Sequence, residues 1–173
     1  MLALLLASLI GYNLISEFVE IEPQPKGIVY FNTGFGDAAI THFENIEPLT
    51  EYKYNNVVRQ AYDYSCGSAA LTTLLDFYLG RNFQERQVME GLLQFGDTEK
   101  IVERRGFSLL DMKRLVTALG HPSGGFRAAE EDLIKLDHPA IAPIEYAGFK
   151  HFIVVRAVKD NHVYVADPAL GNI

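Results

Sequence analysis

The feature that most constrains this chain is a change of hydrophobic period near residue 138. Before it, apolar residues recur at helical spacing; after it come short β-branched runs bounded by turn residues. Residues 68–79 read as a helix with the stripe Ala70, Leu74, Phe77 and Tyr78, and Gly80 sits where a C-terminal cap belongs. A second helix covers about residues 85–93. A third starts at Ser108, pairs it with Asp111 in a capping-box pattern, carries Met112, Val116 and Leu119, and ends at Gly120. A fourth covers about residues 129–136, with Glu130, Glu131 and Asp132 in its first turn, where the helix dipole favours acids. Residues 139–145, 151–158 and 162–167 read as strands, with Lys159, Asp160 and Asn161 as the polar turn between the last two. Helices first and strands second predict an α+β fold, its helices packed on an antiparallel sheet.

The chain is long enough for one real core: 173 residues, 49% hydrophobic and 21% charged. A net charge of −7 argues against a nucleic-acid backbone as partner. The single cysteine rules out an intramolecular disulfide framework. Residues 1–15 form an apolar run too short to span a bilayer, which fits a signal-peptide core and predicts export to the periplasm. A cationic start and an Ala-x-Ala site are missing, so a hydrophobic helix packed on the domain stays open as the alternative. Residues 16–53 read as an N-terminal extension punctuated by Pro23, Pro25, Gly27, Gly34, Gly36 and Pro48, with residues 28–31 as one short strand.

That single cysteine is Cys66, in Gln60-Ala-Tyr-Asp-Tyr-Ser-Cys66-Gly-Ser-Ala-Ala-Leu. It stands at the start of the first helix, where unpaired N–H groups and the dipole stabilise a thiolate, the form that attacks. Gly67, Ser68, Ala69 and Ala70 keep the first turn slim, so that a substrate carbonyl could approach the sulfur. The plain alternative is a buried structural thiol.

A thiol nucleophile needs a base, and the base needs an orienting group. Of His42, His121, His138, His151 and His162, the one placed for this is His151, which opens a strand. Asp167 closes the next strand. A turn centred near residues 159 and 160 sets residue 151 opposite about residue 168, one step from Asp167 and within reach across the hairpin. The other histidines lack such a partner by this reasoning. A surface His–Asp pair is the plain alternative. Gln60, six residues before the thiol, supplies an amide that could donate to a developing oxyanion beside the Cys66 N–H; otherwise it is a polar loop residue.

Gln60-x5-Cys66-Gly67-x-Ala69-x-Leu71, with Tyr78 and Gly80 downstream, resembles the nucleophile motif of the C39 peptidases, papain-like cysteine peptidases found as N-terminal domains of bacteriocin-exporting transporters. Residues 106–120 resemble that family's next helix and residues 139–144 its first core strand. His151-Phe-Ile-Val-Val and Ala166-Asp167-Pro168-Ala-x-Gly171 resemble its His and Asp motifs. The resemblance covers about residues 54–173, in order. It implies a papain-like fold with Cys66 as nucleophile, His151 as base, Asp167 as orienter and Gln60 as oxyanion donor. It implies a peptide or protein substrate cut after small residues such as Gly-Gly, and no metal, organic cofactor or nucleotide. No transporter span or nucleotide-binding domain is present, so the chain is similar to the stand-alone members, most of all those of bacterial functional-amyloid operons. That implies an amyloid subunit or secretion component of the same operon as substrate. The chain stops at Ile173, soon after the Asp motif, where the family fold usually adds a further strand. The rival function is a non-catalytic peptide-binding module; a thiol acyl transferase or deamidase would share the same residues.

Overall fold

The computed structural model describes residues 28–31, 42–45, 48–146 and 148–173, in two units divided between Pro48 and Leu49. In the first unit, β1 (Ile28–Phe31) pairs antiparallel with β2 (His42–Asn45), Ile28 opposite Asn45. The strand expected at 28–31 is present. The apolar segment 1–15, read as a signal core or packed helix, lies outside the described residues.

The second unit runs α1 (Leu49–Lys53), α2 (Cys66–Phe77), α3 (Glu85–Phe95), α4 (Thr98–Arg104), α5 (Leu109–Ala118), α6 (Glu130–Ile134), β3 (Ala140–Tyr146), β4 (Phe149–Lys159), β5 (His162–Asp167) and β6 (Gly171–Asn172). Its four strands form one antiparallel sheet in the order β3-β4-β5-β6. The expected α+β order is borne out, because each stretch folds by its own period.

Helix α2 joins the two layers. Leu71 and Leu75 pack with Val88 and Leu92 of α3 and Met112, Leu115 and Val116 of α5. Ala70, on the neighbouring side of α2, meets Val154 of β4, Ala166 of β5 and Val57. Burying each of these leucines stabilises the fold by about 1.5–3 kcal/mol. The expected stripe of α2 is corrected here. Ala70 is buried and Leu74 packs beside it as expected, but Phe77 and Tyr78 are 46% and 40% exposed, and Leu71 and Leu75 form a second packed side. Helix α2 is covered on two sides, by helices and by sheet, so a single stripe cannot describe it.

The helix ends follow local chemistry. Gly80 takes φ +64 and lets the Arg81 N–H reach the Leu75 carbonyl at 2.9 Å. Ser108 and Asp111 form the expected capping box at the start of α5. Helices α1 and α4 were not foreseen. α4 is seven residues long with one buried side chain, Ile101, so it carries no stripe; its start is held by Asp97 accepting the Lys100 N–H. Strand β6, also unforeseen, is two residues long and pairs Gly171 with Asp167.

Candidate active site

Cys66 is the first residue of α2, and its thiol is half-buried rather than sealed in the core. The first intrahelical bond of α2 runs from the Ala69 N–H to the Ser65 carbonyl at 3.0 Å, so the N–H groups of Cys66, Gly67 and Ser68 are free of helical partners. The small residues after the thiol have a packing role besides the slim first turn expected of them. Ser68, Ala69 and Ala70 are fully buried, and they let α2 approach the core. Gly67 shows why. A Cβ there would stand 2.8 Å from Met112 Cε, 3.3 Å from Phe152 Cδ2 and 3.4 Å from Phe107 Cβ. Glycine therefore seats the start of the helix against α5 and against β4, one residue from His151.

His151 donates from Nε2 to Asp167 Oδ1 at 2.8 Å. The side chains are 17% and 5% exposed. A carboxylate only accepts, so a neutral ring keeps its proton on Nε2 and presents the Nδ1 lone pair. The same Oδ1 accepts the N–H groups of Ala169 at 2.7 Å and Leu170 at 3.1 Å. Those two bonds fix the carboxylate, and the carboxylate fixes the ring and its tautomer.

The expected meeting of His151 and Asp167 is thus observed, but by a different register. The turn centres on Asp160 and Asn161, both at positive φ (50 and 61), as a two-residue hairpin turn of the mirror-image kind requires. From it, Lys159 pairs with His162, Val158 with Val163 and Ala157 with Tyr164; then Arg156 is left over, and Val155 faces Val165 and Val154 faces Ala166. Without this bulge Asp167 would fall opposite Val154, on the face away from His151. With it, Asp167 continues opposite Ile153, two residues from His151 on the same face. The extra residue re-phases the strand and brings the carboxylate to the ring. Arg156 is anchored there, donating from Nη1 to Asn172 Oδ1 at 2.6 Å and from Nη2 to the Asn56 carbonyl at 2.5 Å.

Gln60 lies in the loop before α2. Its N–H donates to the Pro168 carbonyl at 3.0 Å, which ties the loop to the residue after Asp167. Its Nε2 donates to the Tyr62 carbonyl at 3.2 Å, leaving a second N–H. Ser65 closes the turn, receiving the Tyr62 N–H on Oγ at 3.2 Å and donating back to the Tyr62 carbonyl at 2.9 Å. Sequence reasoning did not single out Ser65 or Pro168: Pro168 acts through its backbone carbonyl, and the Ser65 hydroxyl serves only the turn before α2. Among the described residues no hydrogen bond joins Cys66 to His151; what links their neighbours is Gly67, next to the thiol, standing close against Phe152, next to the imidazole.

Three other histidines stand apart. His162 Nδ1 lies 2.7 Å from the Asp160 carbonyl in the hairpin turn. His121 Nε2 accepts from Arg81 Nε at 3.1 Å in solvent. His138 does have a carboxylate partner, contrary to expectation: its Nδ1 is 2.6 Å from Asp137 Oδ1, with both side chains 83% exposed. Chain adjacency makes that pair, not a hairpin. The side chain of His42 lies outside the described residues.

Known proteins are similar to this chain in sequence and in fold. The probable functional amyloid protease FapD of Pseudomonas aeruginosa is 40% identical over 130 residues, 75% of this chain and 57% of that protein. FapD of Pseudomonas fluorescens is 35% identical over the same shares. The chain therefore spans little more than half the length of these curated relatives. Among solved structures, a double glycine motif protease from an AMS/PCAT transporter, in complex with the leader peptide, superposes with a TM-score of 0.53 at 27% identity, over 68% of this chain and 76% of that one. The peptidase domain of Streptococcus ComA superposes with a TM-score of 0.54 at 21% identity, over 68% and 82%, a likeness of fold. The papain-like architecture expected from the motifs is therefore the one observed. The family model described as Peptidase C39 family matches residues 54–173, and with the FapD relatives this makes the chain a member of the C39 peptidase family.

Proposed function

We propose that this protein is a cysteine endopeptidase in which Cys66 attacks, His151 moves the proton, Asp167 orients His151, and Gln60 with the Cys66 N–H holds the oxyanion. The observation that carries this reading is the buried bond from His151 Nε2 to Asp167 Oδ1, 2.8 Å long, on a carboxylate already fixed by two backbone N–H groups. It leaves Nδ1 as the nitrogen to take the thiol proton. The thiolate then adds to a peptide carbonyl, negative charge collects on the carbonyl oxygen, and the imidazolium returns its proton to the leaving amine. A thioester remains on Cys66. Water, deprotonated by His151, hydrolyses it.

The substrate is proposed to be an exported protein cut after small residues such as Gly-Gly, with an amyloid subunit or secretion component of the same operon as the first choice. Support comes from the relatives named for functional amyloid and from the neighbour named for a double glycine motif and its leader peptide. Export to the periplasm is proposed on the apolar run of residues 1–15. The test incubates wild type and Cys66→Ala with secreted proteins encoded nearby. A fragment made by wild type alone is expected. Binding without any wild-type fragment would overturn the peptidase reading in favour of a peptide-binding module. Peptides with Gly-Gly, Ala-Ala or Leu-Leu before the cut then rank specificity by kcat/KM; equal rates would remove the small-residue preference.

A further inference from the structure

Glu85 is a carboxylate with 9% of its surface exposed and, among the described residues, no ion-pair partner. Read from sequence it only begins a helix, where an acid suits the dipole. The start of α3 is served by other groups: Gln84 and Gln87 form its capping box, with the Gln84 N–H donating to Gln87 Oε1 at 2.8 Å. Glu85 reaches away from its own helix. Its Oε2 accepts the Ala61 N–H at 3.0 Å, and its Oε1 lies 3.4 Å from Ser68 Oγ in the first turn of α2.

Ala61 follows Gln60, which makes that contact consequential. The peptide before Gln60 is fixed by its N–H on the Pro168 carbonyl, and the peptide after it by the Ala61 N–H on Glu85. Both planes that flank the Gln60 Cα are thus held by groups outside the loop, and together they set the direction of its side chain. The amide itself has little else to hold it. Its Nε2 has the bond to Tyr62, and its Oε1 is buried without a partner.

We infer that Glu85 is a positioning residue for the oxyanion site: its carboxyl clamps the Gln60–Ala61 peptide against the first turn of the nucleophile helix and so aims the Gln60 amide. The inference rests on the oxyanion role proposed above for Gln60. Removing the clamp lets the amide swing, and a misplacement of about 1 Å costs on the order of 10²-fold in rate.

The experiment compares Glu85→Ala and Glu85→Gln with wild type, each checked by thermal melt, in four measurements. For Glu85→Ala, kcat is expected to fall about 10–100-fold with KM within about twofold, as for loss of a group used in the transition state. Glu85→Gln keeps an acceptor for the Ala61 N–H and stays within about threefold of wild type, which separates clamping from loss of fold. Alkylation of Cys66 by iodoacetamide forms no oxyanion, so its rate is expected to stay unchanged in both variants. In a double-mutant cycle, Gln60→Ala with Glu85→Ala is expected to be no slower than Gln60→Ala alone. Additive losses, an unchanged kcat, or a parallel fall in alkylation would overturn the inference while leaving the peptidase reading intact. A wild type that cleaves no peptide overturns that reading and the oxyanion assignment with it. Amide exchange at Ala61, faster in Glu85→Ala and not in Glu85→Gln, then decides on its own whether Glu85 holds the loop.

Discussion

Asp111 in the helical layer and Asp167 in the sheet are the same group under the same burial, 1% and 4% exposed. Both are fixed by backbone N–H groups of a neighbouring turn. They differ in their last partner. Asp111 accepts the Ser108 N–H at 2.9 Å, the Ser108 hydroxyl at 2.6 Å and the Asp97 N–H at 3.1 Å, and its remaining bond comes from Arg104. Asp167 spends its last bond on His151. A guanidinium never releases its proton, so the Asp111 cluster is permanent; an imidazole does, so the Asp167 cluster can take part in proton transfer. Burial costs the carboxylate in both places, and the identity of one partner divides structure from chemistry.

The sharpest way to break the comparison is to exchange each carboxylate for its amide. Asp167→Asn is expected to keep the fold, because Oδ1 can still accept the Ala169 and Leu170 N–H groups, and to lose about 10²–10⁴-fold in kcat. Circular dichroism and a cleavage assay on one sample check this; full activity would remove Asp167 from the mechanism.

Asp111→Asn is expected to do the reverse, costing about 1–3 kcal/mol of stability with kcat unchanged below the melt. Burial alone would push the Asp111 carboxyl up, but the Ser108 hydroxyl, the N–H groups of Asp97 and Ser108, and Arg104 outweigh it and hold it below its ordinary 3.8. A folded value below the unfolded one means that the stabilisation is full above the ordinary range and fades as the pH falls through the folded value. Denaturant titrations should therefore show wild type and Asp111→Asn converging below about pH 4. A gap that persists in acid would show that the charge is not what matters there.

Gly67→Ala tests the joint between the two layers. Overpacking against Met112 and Phe152 should cost about 1–2 kcal/mol, and the displaced Phe152 should also lower kcat by disturbing its neighbour His151. A stable variant with normal kcat would show that the two ends of the site tolerate small shifts.

The smallest effect is expected at the exposed imitation of the pair. The His138 hydrogen bond holds the Asp137 carboxyl below its ordinary 3.8, yet His138→Gln should move neither kcat nor the melting temperature measurably, since such solvent-exposed pairs contribute little.

Legibility followed distance along the chain. The Ser108–Asp111 capping box, the Gly80 cap and strand β5 could be read directly, since each depends on residues within one turn or one strand. The pairing of His151 with Asp167 was legible in outcome and wrong in register. Nothing in the sequence marks Arg156 as a bulge, because the bulge answers to Asn56 and Asn172, distant in the chain. Helix α4 escaped notice since a short polar helix with one buried residue has no period to detect.

By itself, then, the sequence determined the α+β order and the main helices and strands, because propensity and capping act over a few residues, and through its motifs it offered Gln60, Cys66, His151 and Asp167 as the candidate site. The tertiary structure alone decided which face of β5 meets His151, why glycine must follow the thiol, and what Glu85 touches. Each of these depends on a partner more than ten residues away in the chain, and only packing chooses such partners.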